Sequence, residues 1–165
     1  MANYYGAKYF SDQPVPTCSD PGVVRTFLDT VTITTALTTS DTCYLARMPA
    51  NHRVVRLDLY ASDMDSGTTI TWTVGTTADA DHFALAEATL GRTAITVSLP
   101  ATGVATSNVP GWFATSTPTT NYDVVAILAA GPATTTGTLT ARVWYTVDAA
   151  YLDPSSSPAA VEGTE

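Results

Sequence analysis

The most constraining feature of this sequence is a two-residue alternation of apolar and hydroxyl side chains. It is clearest over residues 68–74, where every second residue is Ile, Trp or Val and the residues between them are threonines, and it recurs over residues 138–147. A two-residue period places neighbouring side chains on opposite faces of a β-strand, whereas an amphipathic helix needs a period of about 3.6. The sequence therefore predicts strands with one apolar face and one threonine-rich face.

The composition also favours β-structure. Threonine accounts for 31 of the 165 residues, whereas charged residues make up only 13% and lysine occurs once. Threonine is branched at Cβ, so it suits the pleated, half-exposed surface of a sheet. A coiled coil or a long helical bundle would need many more Ala, Glu, Lys, Leu and Arg residues. The net charge of −8 and the pI of about 4.4 argue against nucleic-acid binding, which requires clustered Lys and Arg.

Seven segments have the pattern of a strand, and one has the pattern of a helix. The strand segments are residues 28–34, 42–48, 54–61, 68–74, 93–99, 121–129 and 138–147. In the third of them, Val55, Leu57 and Leu59 are predicted to face inward, and Arg56, Asp58 and Tyr60 outward. Residues 79–90 are predicted to form a short helix, which Asp79 can cap at its start and Gly91 at its end.

Strands that each have one buried face must pair to cover it. We therefore predict an all-β fold, a two-sheet sandwich or jelly roll of about seven to eight strands with one short helix and extended termini.

The composition divides the chain into three regions. Residues 1–27 do not alternate and contain several prolines and glycines, so we predict an extended N-terminal arm. Residues 28–150 are predicted to form the β-sandwich domain, and residues 151–165 a flexible C-terminal tail. The arm is aromatic, with Tyr4, Tyr5, Tyr9 and Phe10 near its start. Because aromatic rings are costly to leave in water, we expect the arm to lie against its own domain or a neighbouring protein.

Neither a secretory signal nor a membrane span is apparent in the sequence. The longest apolar stretch, residues 124–130, is far shorter than the roughly 20 residues that span a bilayer. We therefore expect synthesis in a cytoplasm and no membrane contact. In a reducing compartment Cys18 and Cys43 are expected to be free, and a disulfide that ties the arm to the domain is the alternative. Two cysteines and two histidines without metal-ligand spacing do not predict a zinc site.

Residues 63–67, with the sequence Asp-Met-Asp-Ser-Gly, resemble the start of a calcium-binding loop. Such a loop needs a carboxylate at its twelfth position, which is occupied here by Val74. We therefore interpret the segment as a polar turn between two strands.

A second polar group surrounds His82 and includes Asp79, Asp81 and Glu87. A carboxylate and a histidine can act together in acid–base catalysis, but Asp79 and Asp81 also suit the N-terminus of the predicted helix. His52 lies in a turn and has no recognisable partner. The sequence contains no nucleophile motif, phosphate-binding loop or dinucleotide fingerprint, so we predict no enzyme, no cofactor and no metal site.

Three aromatic residues outside the arm are candidates for a partner interface. Trp112 and Phe113 lie in a long loop of Thr, Ser, Gly and Pro, where they could anchor a partner or a sugar, or plug the end of the sandwich. Trp144 lies on the threonine-rich face of the last predicted strand. If that face is exposed in the monomer, Trp144 marks a contact with another subunit.

Two stretches are similar to proteins of tailed-bacteriophage heads. They are residues 57–76, LDLYASDMDSGTTITWTVGT, and residues 1–9, MANYYGAKY. The chain on this basis resembles the capsid decoration, or cement, proteins, in which a small β-rich protein binds the outside of the assembled shell and stabilises it. The resemblance implies contact surfaces rather than a catalytic site.

Two functions follow as hypotheses. The first is a structural virion protein on the capsid exterior, made in the host cytoplasm, with the major capsid protein and further copies of itself as partners and a trimer favoured. Its candidate interface residues are Tyr4, Tyr5, Tyr9, Phe10, Trp112, Phe113 and Trp144. The alternative is a carbohydrate- or receptor-binding module of a head fibre or tail, with a site formed by Trp112, Phe113 and the acidic turns. The low-charge, threonine-rich surface favours the first, because many copies can pack without like-charge repulsion.

Overall fold

The computed structural model describes residues 1–9, 15, 23–65, 69–87, 95–99, 119–131 and 136–147. Within these ranges the chain forms nine strands: Asn3–Tyr5 (β1), Arg25–Ile33 (β2), Thr42–Met48 (β3), His52–Ala61 (β4), Thr71–Thr76 (β5), Ala84–Glu87 (β6), Ile95–Leu99 (β7), Tyr122–Ala130 (β8) and Gly137–Val147 (β9). The seven segments predicted to be strands are confirmed as β2 to β5 and β7 to β9. Over the residues that the structure describes, no helix is long and apolar enough to cross a membrane.

The strands form two sheets that enclose a common core. One sheet has the order β1-β3-β8-β5-β6, and the other has the order β2-β9-β4-β7. β1 runs parallel to β3, and the remaining described pairs are antiparallel. Apart from β1, the strands pair as nested hairpins, β5 with β6, β4 with β7, β3 with β8 and β2 with β9, an order typical of a jelly roll. The predicted two-sheet sandwich is confirmed.

The core lies between the apolar faces of the two sheets. In β9, Leu139, Ala141, Val143 and Tyr145 are fully buried, while the residues that alternate with them between Leu139 and Tyr145 are partly exposed. Trp72 of β5 is also fully buried. Each large apolar side chain buried in this way contributes on the order of 1.5–3 kcal/mol to stability.

The helix predicted over residues 79–90 is wrong. Part of that segment is β6, which pairs with β5, and it is preceded by a turn in which the Thr76 amide donates a 2.7 Å hydrogen bond to the Asp79 carbonyl oxygen. The residues of β6, Ala-Leu-Ala-Glu, suit a helix by intrinsic propensity. The side of β5 that faces away from β8, however, presents backbone groups that need partners, and pairing with β6 satisfies them.

A bulge in β4 changes which of its residues face the core. The pairing of β4 with β9 shifts register between Val54 and Arg56, so that Val54 is buried and Val55 is only partly buried. A bulge sets two residues of one strand opposite one residue of the other, which shifts the alternation by one position. The prediction that Val55 faces inward is therefore wrong, whereas Leu57 and Leu59 are fully buried as predicted.

Cys43 lies in β3 as a free thiol with no exposed surface. Burial raises the pKa of Cys43 to about 12, so the thiol stays protonated and unreactive at neutral pH. Cys18 and the predicted tail, residues 151–165, lie outside the described residues.

Candidate functional site

The first nine residues lie on the chain's own domain and connect its two sheets. β1 pairs with β3, and the Gly6 amide donates a 3.0 Å hydrogen bond to the Tyr44 carbonyl oxygen. The chain then reaches the other sheet, where the Ala7 amide donates to the Thr30 carbonyl oxygen of β2 at 3.1 Å. The segment predicted as an arm therefore begins as an edge strand, and β2 starts at Arg25, before the predicted boundary.

A buried carboxylate, Asp41, holds the beginning of this segment. It accepts hydrogen bonds from the backbone amides of Ala2 and Thr38 and from the Thr38 hydroxyl, and the N-terminal ammonium lies 3.9 Å away. Burial, the strongest single influence, raises the pKa of Asp41, but the hydrogen bonds and the ammonium together lower it below the ordinary value. Asp41 is therefore an ionised structural anchor at neutral pH.

A second buried carboxylate, Asp29, holds the end of the segment. The amide of Lys8 donates to its Oδ2 and the amide of Thr30 donates to its Oδ1, both at 2.8 Å. A Cβ atom at Gly6 would collide with the Asp29 carboxylate, so the close approach of the two strands requires glycine at this position.

Three tyrosine rings cover the outer face of the β1-β3-β8-β5-β6 sheet beside β1, and we call this surface the tyrosine face. Tyr5 stacks on Tyr44 with ring centroids 4.8 Å apart, and Tyr9 lies 5.2 Å from Tyr5 and 5.5 Å from Tyr44. Burial, together with a hydrogen bond to the Asp123 carboxylate, raises the pKa of Tyr9. The candidate interface residues Tyr5 and Tyr9 thus contact the chain's own sheet.

A loop covers the same sheet further along. A Cβ atom at Gly75 of β5 would collide with the backbone of Asp79 and Ala80, so the loop after β5 packs directly on the sheet. Val125, opposite Gly75 in β8, is fully buried although it does not belong to the core cluster. The chain therefore covers this outer face with its own residues.

The remaining aromatic candidates are placed differently. Tyr4 is partly buried against the core, and its hydroxyl lies 2.6 Å from the Thr35 hydroxyl. Phe10, Trp112 and Phe113 lie outside the described residues, so their predicted interface role stays a prediction.

Trp144 lies on the outer face of the β2-β9-β4-β7 sheet, which we call the arginine face. Two guanidinium groups contact its ring, that of Arg56 at 4.9 Å and that of Arg142 at 5.5 Å from the ring centroid. The Arg142 guanidinium is also 5.6 Å from the Tyr60 ring. Register explains the cluster, because Arg56 is directly opposite Trp144 and Asp58 is directly opposite Arg142. Cation–π contacts of this kind are worth about 0.5–1 kcal/mol each at exposed positions.

Asp58 neutralises only one of these two arginines. Its carboxylate accepts from Arg56 Nε at 2.9 Å and from Nη2 at 3.3 Å, and the residue is 4% exposed. Asp58 was predicted to face outward, and it does lie on the outer face, but its neighbours bury it. Arg142 is partly exposed and makes no hydrogen bond or ion pair with any residue that the structure describes.

In the acidic segment at residues 63–67, the described residue Asp65 has a structural role. Asp65 is buried, and its Oδ2 accepts hydrogen bonds from the Thr69 and Ile70 amides, both at 3.0 Å. Over the described part of the chain, no three potential metal ligands come together.

The two histidines have structural partners. His82 Nδ1 is 3.3 Å from Asp79 Oδ2 in the turn after β5, and hydrogen bonding with Asp81 and then with His82 lowers the pKa of Asp79 against the opposing effect of burial. The Asp79 side chain is 56% exposed, so this pair lies on the surface. His52 is buried, and its Nδ1 is 2.8 Å from the Ala50 carbonyl oxygen. The sequence did not reveal that partner.

Sequence reasoning missed Arg56, Arg142 and Tyr60 as members of one cluster. The alternation correctly predicted that Arg56 and Tyr60 face outward on β4, and the structure places Arg142 on the outer side of β9. Cross-strand neighbours interact, but the sequence does not show that β4 and β9 are adjacent. Knowledge of the strand order would have allowed the cluster to be predicted.

Two solved structures of phage capsids contain a chain that shares this fold. A chain in "Capsid of Ralstonia phage GP4" superposes with a TM-score of 0.71 at 22% sequence identity, over 88% of this chain and 98% of that chain. A chain in "Cyanophage Pam1 capsid asymmetric unit" superposes with a TM-score of 0.59 at 23% identity, over 81% of this chain and 91% of that chain. At these identities the similarity establishes a common fold. Family models and curated proteins gave no match.

Proposed function

We propose that the chain is a structural virion protein that binds the outer surface of a phage capsid and stabilises the shell, as decoration or cement proteins do. The observation that carries the proposal is the fold shared with chains of two phage capsid structures. The similarity covers 98% of the first neighbouring chain. The role is structural and non-enzymatic.

Shell stabilisation follows from binding alone. A protein that binds the assembled shell but not its separated subunits shifts the equilibrium toward the shell by mass action. The proposed partners are the major capsid protein and further copies of the chain, and a trimer would match a three-fold site on a shell.

Among the candidate interface residues that the structure describes, we propose Trp144 as the contact with a partner. It is partly exposed at the centre of the arginine face, and tryptophan and arginine are enriched in interface hot spots. The tyrosines near the N-terminus support the domain itself. Removal of residues 1–20 would delete β1 and the amide donors that Ala2 and Lys8 supply to Asp41 and Asp29, so that truncation would alter the fold together with any interface.

The proposal is tested by adding purified protein separately to undecorated phage shells, to host cells and to a glycan array. We expect saturable binding to shells and a higher temperature of shell disruption after binding. Binding to cells or glycans without binding to shells would contradict the proposal and support the receptor-binding alternative, whose predicted site at Trp112 and Phe113 lies outside the described residues.

A further inference from the structure

The arginine face carries positive charge on a chain that is otherwise acidic. Arg53, Arg56 and Arg142 all lie on the outward side of β4 and β9, whereas the whole chain has a net charge of −8. Among the described residues of this face, Asp58 is the one acid, and both of its oxygens accept from Arg56. The described part of the face therefore has an excess of guanidinium groups.

Two of these guanidinium groups lack an acceptor within the described residues. Arg53 Nε is buried and has no hydrogen-bond partner, and the Arg142 guanidinium lies against the rings of Trp144 and Tyr60 without a hydrogen bond or ion pair to a described residue. A guanidinium held between aromatic rings keeps its N–H groups directed outward at the ring edges and loses little conformational freedom when it binds. Carboxylate is the protein group that matches this planar fork with two parallel hydrogen bonds.

From these observations we infer that the arginine face is a docking surface for a protein segment that presents carboxylates, with Arg142 as the principal contact and Trp144 as its apolar centre. The Arg56 side chain is 55% exposed, so the cluster is open to a partner. The inference deepens the proposed function, on which the identification of the partner as a virion protein rests. A nucleic acid does not fit, because a net charge of −8 repels a polyanion.

Threonines beside the cluster complete the surface. Thr30 of β2 and Thr140 of β9 share a 2.8 Å hydrogen bond between their hydroxyls, next to Tyr60 in the register. These neutral hydroxyls can meet a partner without the desolvation cost of charged groups. A central Trp–Arg cluster with a neutral polar border is the usual composition of a protein interface.

The first experiment measures shell binding of Arg142→Gln and of a matched control, Arg47→Gln, which removes the same charge from an exposed position on the opposite sheet. We expect Arg142→Gln to weaken binding at least about tenfold and Arg47→Gln to change it less than about twofold. Arg142→Lys should recover only part of the affinity, because lysine keeps the charge but not the two-point geometry. Equal binding by Arg142→Gln and Arg47→Gln would overturn the inference while leaving the proposed function intact.

The second experiment does not depend on shells. The indole N–H signal of Trp144, assigned by comparison with Trp144→Phe, is followed by NMR during titration with a tetraglutamate peptide, a tetraglutamine peptide or inorganic phosphate at low ionic strength. We expect a saturable shift with tetraglutamate, no shift with tetraglutamine, and loss of the tetraglutamate shift in Arg142→Gln. No shift with tetraglutamate, or an equal shift with phosphate, would overturn the assignment to a carboxylate-bearing partner. That conclusion would hold whether or not the protein binds shells in the first experiment.

Discussion

The two outer faces of the sandwich differ in what covers them. On the tyrosine face, the chain's own N-terminal residues and the loop after β5 lie on the sheet, and Val125 is fully buried there. On the arginine face, Trp144 and Arg142 remain partly exposed and Arg142 has no acid partner among the described residues. The first face is partly covered by the chain's own residues, with Tyr5 still 37% exposed, whereas the second presents guanidinium groups that another molecule can satisfy. Substitutions on the tyrosine face should therefore change stability, and substitutions on the arginine face should change binding.

The largest effect is expected from Gly75→Ala. The new Cβ would meet the backbone of Asp79 and Ala80, which cannot rotate away as a side chain can, so the covering loop must shift. We expect a loss of about 3 kcal/mol in the free energy of unfolding, measured by urea denaturation. Thr71→Ala, at a half-exposed position of the same strand, is the control and should cost much less. Wild-type stability in Gly75→Ala would show that the loop does not close this face.

Asp41→Asn should have the next largest effect. Asparagine offers one acceptor oxygen where the carboxylate offers two, so the amide of Ala2 or of Thr38 loses its partner at a cost of about 1–3 kcal/mol.

The effect of Asp41→Asn should also depend on pH. The pKa of Asp41 is lower in the folded state than its ordinary value of 3.8, so its contribution is fully present above that value and is lost as the pH falls through the folded pKa. Urea denaturation at pH 7 and at decreasing pH below 3.8 should show the difference between wild type and variant narrowing with acidification. A constant difference across that range would mean that the carboxylate charge is not what holds the N-terminal segment.

Tyr5→Ala should have a moderate effect. The substitution removes the stack on Tyr44 and the contact with Tyr9, which are worth about 0.5–1.5 kcal/mol beyond the area buried. A double-mutant cycle of Tyr5→Ala and Tyr44→Ala isolates the stacking energy, and a coupling near zero would show that these rings do not close the tyrosine face.

The smallest effect on stability is expected from Arg142→Gln. Its two cation–π contacts are partly exposed, so we expect a loss of about 1 kcal/mol or less in urea denaturation. A loss above about 2 kcal/mol would contradict the expectation that substitutions on the arginine face change binding rather than stability. It would show that the arginine cluster stabilises the fold. Thr138→Ala on an exposed part of β9 provides the baseline.

The two errors of the sequence interpretation both arise where pairing overrides local pattern. The segment that contains β6 has helix-favouring residues, yet it forms a strand because it pairs with the edge of β5. In β4, one extra residue at the bulge exchanges the orientations of Val54 and Val55. Neither event has a signature in the local sequence, because each depends on a partner strand elsewhere in the chain.

The candidate site was predicted in part. Alternation alone assigned Trp144 to the threonine-rich face of the last strand and left the exposure of that face open, and in the structure Trp144 is partly exposed. Its contacts with Arg56 and Arg142 could not be predicted, since they require β4 beside β9 in one particular register. Likewise, the sequence did not indicate that Asp29 and Asp41 bind the N-terminal segment. This role depends on which backbone amides lie beside each carboxylate in the folded chain.

The sequence by itself determined that the protein is built from strands and, outside the bulge in β4, which strand residues face the core. A two-residue alternation of apolar side chains and threonines can bury its apolar half only by pairing into sheets, so a sandwich follows from local chemistry and the hydrophobic effect. Only the tertiary structure decided which strands are neighbours, and with that, which outer face the chain covers itself and which it leaves open. Those choices depend on contacts between residues far apart in the sequence, such as Gly6 with Asp29 and Arg142 with Tyr60, which no local pattern encodes.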